Sequence, residues 1–123
     1  CGGTLTAPPG GTVTSPNYPN NYDNNVTCVW KIIVAEDRIV RLMFDSFDLM
    51  DVPEGRDYLK IYDGSSDSAS ELISLTGHML VIHITSTSNQ LFVRFSSGGS
   101  STAQGFHFSY KVAHSSRGKF YIS

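Results

Sequence analysis

A chain of 123 residues has room for one domain and one core. With 40% hydrophobic and 16% charged residues it is too apolar for a disordered segment, and a net charge of −2 supplies no basic footprint for nucleic acid. No apolar run approaches the ~18 residues of a membrane-spanning helix, so no transmembrane segment is expected.

Gly, Ser, Thr and Asn are plentiful, which favours short strands and turns over helices. The chain opens on Cys1 and is expected to be a processed chain or an excised domain. Alternation of apolar and polar residues then recurs along most of its length. Residues 11–14 read as a short edge strand. The segment 28–34 follows, with Cys28, Trp30, Ile32 and Val34 on one face. Residues 38–44 place Val40, Leu42 and Phe44 inward, and Phe47 and Leu49 carry apolar anchoring into a loop. Residues 57–62 alternate again, with Leu59 and Ile61 inward and Tyr58, Lys60 and Tyr62 forming an exposed stripe. Segments 71–75, 79–84, 90–95 and 106–112 complete the set. Clusters of Pro, Gly, Asn, Asp and Ser separate these runs. The pattern predicts eight or nine strands, no helix, and an all-β fold of two packed antiparallel sheets. Residues 114–123 break the alternation and read as a tail, a linker or one more edge strand.

Two cysteines bracket the turn-rich first quarter. They are either two reduced thiols or, the reading preferred here for an even count in a small loop-rich domain, a Cys1–Cys28 disulfide. Such a bond would pin the N-terminus to the Trp30 strand, and closing a loop of this length is worth roughly 3–4 kcal/mol in the chain-entropy model. No further Cys/His cluster provides the four ligands of a structural zinc site.

A set of short motifs stands in order along residues 1 to about 113. They are Cys1-Gly2-Gly3, Ser15-Pro16-Asn17-Tyr18-Pro19-Asn20-Asn21-Tyr22, Cys28-Val29-Trp30 and Phe44-x-x-Phe47-Asp48-Leu49. Asp57-Tyr58-Leu59-Lys60-Ile61-Tyr62-Asp63-Gly64, Leu91-x-Val93-x-Phe95 and Gly105-Phe106-x-x-x-Tyr110 follow. Each is weak alone; together the sequence resembles a CUB domain. The resemblance implies a jelly-roll-like sandwich over residues 1–113, with 114–123 outside it, and a first disulfide matching Cys1–Cys28.

Two departures from the family pattern stand out. The family's second disulfide would fall near Glu54 and Thr76, and neither is cysteine. The loop 52–56 is therefore expected to be mobile or held by packing alone. Many CUB domains also hold calcium through three acidic positions that align here with Met50, Asp57 and Gly98. Only Asp57 is acidic, and calcium takes roughly six to eight oxygen ligands. The expectation is no cofactor and no metal, with Asp57 bonded to loop amides. A shifted, weak calcium site using Asp51 is the alternative. The resemblance then points to the calcium-independent branch of the family, whose members bind glycans, lipid headgroups or other proteins through surface loops.

Catalysis finds no support. A Ser-His-Asp triad has no nucleophile elbow and no helix to present it, so no enzyme is expected. His83 and His107 fall on the solvent side of their strands. Asn25-Val26-Thr27 is an N-glycosylation sequon, with Asn25 the acceptor. The sequence thus reads as an extracellular, secreted or ectodomain recognition module for a protein or glycan. Its candidate binding residues are Tyr18, Asp48, Asp51, Glu54, Arg56 and Asp57, beside the loop 97–104. The alternative is a structural or self-associating accessory domain of a larger secreted protease or matrix protein, pairing through a sheet edge or the tail.

Overall fold

The alternating segments become strands of two sheets. The computed structural model describes residues 1–7, 10–51, 57–80, 82–99 and 101–114. Among them run β1 (Gly3–Thr6), β2 (Gly11–Thr14), β3 (Thr27–Ile33), β4 (Arg38–Asp48) and β5 (Tyr58–Asp63). They continue as β6 (Ser70–Leu75), β7 (His78–Met79), β8 (Ile82–Thr85), β9 (Gln90–Ser96) and β10 (Gly105–His114). One sheet has the order β1-β3-β9-β5-β6; the other runs β2-β10-β4-β7, with β8 also pairing β4. The predicted all-β sandwich is what forms.

The core lies between the sheets because alternation turns every second side chain inward. Trp30, Ile32, Leu59, Ile61, Leu91, Val93 and Phe95 face Val40, Leu42, Phe44, Phe106 and Phe108, all buried. Edge-to-face ring pairs join the sheets: Trp30 on Phe106 at 5.8 Å and Phe95 on Phe106 at 5.3 Å between centroids. This geometry suits aromatic quadrupoles better than a face-to-face stack. The Cys1–Cys28 disulfide forms, with Cα atoms 5.4 Å apart, and ties the start of the chain to β3.

Three details depart from the sequence reading. First, β1 was not anticipated. It pairs parallel with β3, Leu5 opposite Ile32, and its one apolar residue gives too little alternation to register. Second, β4 continues four residues past Phe44. The register with β10 shifts between His107 and Phe108, so Asp45 is the extra residue of a bulge. That slip lets Phe44 and Phe47, three apart, both point inward. It also divides the segment 79–84: β7 pairs Phe47 and Asp48, while β8 pairs residues on the other side of the bulge. Third, Tyr62 is buried rather than exposed. It packs on Phe92 across the outer face of its sheet, 5.9 Å between ring centroids. Tyr58 and Lys60 remain half-exposed, with Lys60 Nζ 4.8 Å from the Tyr58 ring centre.

Candidate functional site

One end of the sandwich gathers the loop after β2, the exit of β4, the entry to β5 and the exit of β9. Asp57 stands at their meeting point, fully buried immediately before β5. A lone buried carboxylate is costly unless hydrogen-bonded. Here the Tyr22 hydroxyl donates to Oδ2 at 2.6 Å and the Gly98 backbone N–H donates to Oδ1 at 2.9 Å. The Tyr22 oxygen accepts in turn from the Met50 N–H at 3.0 Å. The Asp57 N–H donates to the Met50 carbonyl at 2.9 Å, and the Thr76 hydroxyl donates to the Asp57 carbonyl. Each buried polar atom of the node has a partner.

The ring of Tyr22 is buried edge-on against Phe95, 5.0 Å between centroids. Burial, and next the hydrogen bond to Asp57, push its phenol pKa well above the ordinary value. It therefore stays a donor at all physiological pH. Ser97 completes the brace: its hydroxyl accepts from the Val26 N–H at 2.9 Å and donates to the Asp23 carbonyl at 2.8 Å.

The three positions aligned with the family's calcium ligands are thus brought together, but their chemistry is turned inward. Met50 offers a backbone carbonyl already taken by the Asp57 N–H, Gly98 offers a donor, and both Asp57 oxygens face donors. Among the described residues, no three of His, Cys, Asp and Glu are grouped to hold a metal ion. Asp51 lies by Gly77, where a Cβ would meet its Oδ2 at 3.8 Å. Among the described residues this set presents few of the oxygens that a hard cation such as calcium takes. Thr76, at one of the family's second-disulfide positions, holds the Asp57 backbone by a hydrogen bond instead.

The surface candidates separate into two groups. Asp48 lines a pocket of about 220 Å³ with Asp45, Phe47, His78, Met79 and Leu80. Leu80, at 79% exposure, is the most exposed large hydrophobic side chain of the described residues. Tyr18 instead lines a groove of about 340 Å³ with Leu5, Val13 and Trp30, between edge strands β1 and β2. A chain of contacts links the two: Asp45 Oδ1 lies 2.6 Å from His107 Nδ1, and the His107 ring sits 5.8 Å from that of Tyr18. Asp57, expected among the binding residues, is shut off from solvent. Glu54 and Arg56 lie outside the described residues, as do 115–123 of the tail. Sequence reasoning missed Tyr22, Thr76 and Ser97 as members of this node. The phenol in the Pro/Asn loop was the one available signal.

At the other end of β5, Asp63 forms a second carboxylate clamp. It accepts from the backbone N–H and hydroxyl groups of both Thr87 and Ser88 in the β8–β9 turn. Partial burial is the largest single influence on its pKa and raises it, but these hydrogen bonds together outweigh it and hold the carboxyl below its ordinary value.

The CUB domain family model matches residues 1–110. The chain belongs to the CUB family. Cubilin from Rattus norvegicus is 34% identical over 118 residues, 92% of this chain and 3% of that protein. Bone morphogenetic protein 1 from Xenopus laevis is 38% identical over 111 residues, 89% of this chain and 16% of that protein. The chain therefore spans a small part of the curated relatives it matches. Among solved structures, the full extracellular region of zebrafish Gpr126/Adgrg6 superposes with a TM-score of 0.81 at 31% identity, over 93% of this chain and 15% of that one. The MASP-1 CUB2 domain bound to Ca2+ gives a TM-score of 0.75 at 34% identity, over 90% of this chain and 99% of that one. Among the described residues no helix is long and apolar enough to cross a membrane.

Proposed function

We propose that this CUB domain is a non-catalytic recognition module of a larger extracellular protein, binding a protein or glycan through the loop end around Asp57, with no calcium. The observation that carries the reading is the Asp57 node. Loops joined to β2, β4, β5 and β9 converge on one buried carboxylate whose ligands are the chain's own donors. A rigid scaffold that fixes polar loops is the usual arrangement for recognition. The MASP-1 CUB2 structure contains Ca2+ at 34% identity, and the inward-facing donors here support a different way of ordering the same end. The disulfide and the likeness to an extracellular region support the extracellular placement. Asp48 and the pocket beside it are the contact surface in this reading, with Tyr18 at its far margin.

The test is binding of the immobilised domain to glycan arrays and to extracellular protein libraries, in chelator. Asp48→Asn and Leu80→Ser should weaken any specific binder without shifting the melting temperature. A binder unmoved by both, or one that requires added calcium, contradicts the reading. Self-association is the second reading, favoured by the exposure of Leu72 and Leu80 on the β6/β7 side of the sandwich. Sedimentation across a concentration series separates the two, since only self-association raises the mass.

A further inference from the structure

The sequon Asn25-Val26-Thr27 lies on the brace that holds the loop end together. Asn25 is exposed and adopts φ = 57°, a left-handed turn that asparagine tolerates better than most residues. Thr27, the first residue of β3, is also exposed. Val26, between them, turns inward and packs on the core. Its N–H donates to Ser97 Oγ at 2.9 Å and its carbonyl accepts from the Ser97 N–H at 2.8 Å. Both side chains that define the acceptor site therefore face solvent, while the segment is anchored by Val26 and by the Thr27 backbone, which pairs with Ser96 in β9. Asn25 makes no side-chain hydrogen bond among the described residues, so a glycan on it breaks none there.

We infer that Asn25 is N-glycosylated and that its glycan covers the Ser97–Gly98 side of the loop end. In the transfer, Asn25 Nδ2 attacks C1 of a lipid pyrophosphate-linked oligosaccharide. An N–C1 bond forms, the C1–O bond to pyrophosphate breaks, the lipid pyrophosphate leaves, and Nδ2 loses one proton. Ser97 bonds both Val26 and Asp23, and the next residue, Gly98, bonds Asp57. The glycan therefore rises beside the Asp57 node. A partner is left the opposite flank, where Asp48, His78 and Leu80 line their pocket. This inference rests on the extracellular placement proposed above.

The experiment is intact mass of the domain secreted from eukaryotic cells, before and after peptide N-glycosidase, with Thr27→Val and Asn25→Gln alongside. The wild type should carry the mass of one N-linked oligosaccharide and lose it on digestion. Both variants should run at polypeptide mass, and Thr27→Val keeps a β-branched residue on the strand. Relaxation of the Gly98 amide by a soluble gadolinium chelate should rise several-fold after digestion. A chain secreted with its Cys1–Cys28 bond formed but bare at Asn25 overturns the inference and leaves the extracellular reading standing. A chain whose cysteines stay reduced overturns the extracellular reading. A glycosylated chain whose Gly98 amide relaxes equally before and after digestion overturns the shielding.

Discussion

Asp57 and Asp63 bracket the same strand, β5, and each ties loops together through a carboxylate, yet they do so in opposite surroundings. Asp57 is fully buried and takes two donors from residues 35 and 41 positions away, one a phenol and one a backbone amide. Asp63 is half-exposed and takes its donors from a single turn 24 and 25 positions away, two of them backbone amides and two hydroxyls. The buried clamp works by exclusion of water and depends on each donor, because an orphaned group there loses its full solvation. The half-exposed clamp works by number, and water replaces a lost donor at little cost. One residue type thus holds a junction of several loops at one end of the strand and a single turn at the other, both across long sequence separations.

The comparison breaks most sharply at Asp57 itself. Asp57→Ala leaves the Gly98 N–H without its acceptor and opens a cavity, so it should destabilise the fold by about 3 kcal/mol. Chemical denaturation measures it, and a loss below that of Asp63→Ala would contradict the contrast. Tyr22→Phe keeps the ring packing and removes the hydroxyl, leaving the carboxylate one donor and the Met50 N–H without an acceptor. About 2 kcal/mol is expected. This variant also sharpens the picture at high pH. The Tyr22 phenol is raised in the folded state, so its contribution is full below the unfolded tyrosine pKa and is lost as pH rises through the folded value. Wild type should therefore lose stability above pH ~10 more steeply than Tyr22→Phe.

Asp63→Ala should cost about 1 kcal/mol, with its effect confined to the 86–90 turn in amide exchange. The carboxyl is depressed in the folded state, so its contribution is present above the unfolded Asp pKa of ~3.9 and is lost as pH falls through the folded value. Wild type should accordingly show a steeper acid loss below pH ~4 than Asp63→Asn, and parallel curves would remove Asp63 from the account. The smallest effect is expected of Tyr18→Ala. Its contact with His107 lies on the outer face, and a melting temperature within a few degrees of wild type is predicted.

The strands were legible in the sequence because one face of each sheet is buried, and burial imposes a strict two-residue period. Legibility failed where that period fails physically. The bulge at Asp45 resets the inward face between Phe44 and Phe47, and β1 has only Leu5 to bury. Tyr62 follows the alternation but is covered on the outer face by Phe92, a neighbour from β9 that no local pattern reveals. At the site, the three positions taken from the family alignment lie together, and Asp57, expected to bond loop amides, accepts from the Gly98 N–H. The Tyr22 contact spans 35 residues and depends on the sandwich having closed. Ser15, Ser86 and Ser97 behave alike. Each is buried and accepts from a distant backbone N–H, of Phe106, Val40 and Val26 respectively. In sequence they read as turn residues, Ser15 also as the start of a family motif.

The proposal above is that Tyr22 and Gly98 order this end of the domain without calcium. Calcium titration by calorimetry, with thermal melting in calcium and in chelator, tests it most directly. Met50→Glu/Gly98→Asp serves as the counterpart, because a Cβ at position 98 meets no atom of the described residues within 4 Å. Wild type should give no saturable heat and superimposable melting curves, while the double variant should bind calcium and melt higher in its presence. Saturable heat and a calcium-dependent rise in the melting temperature of wild type would contradict the claim.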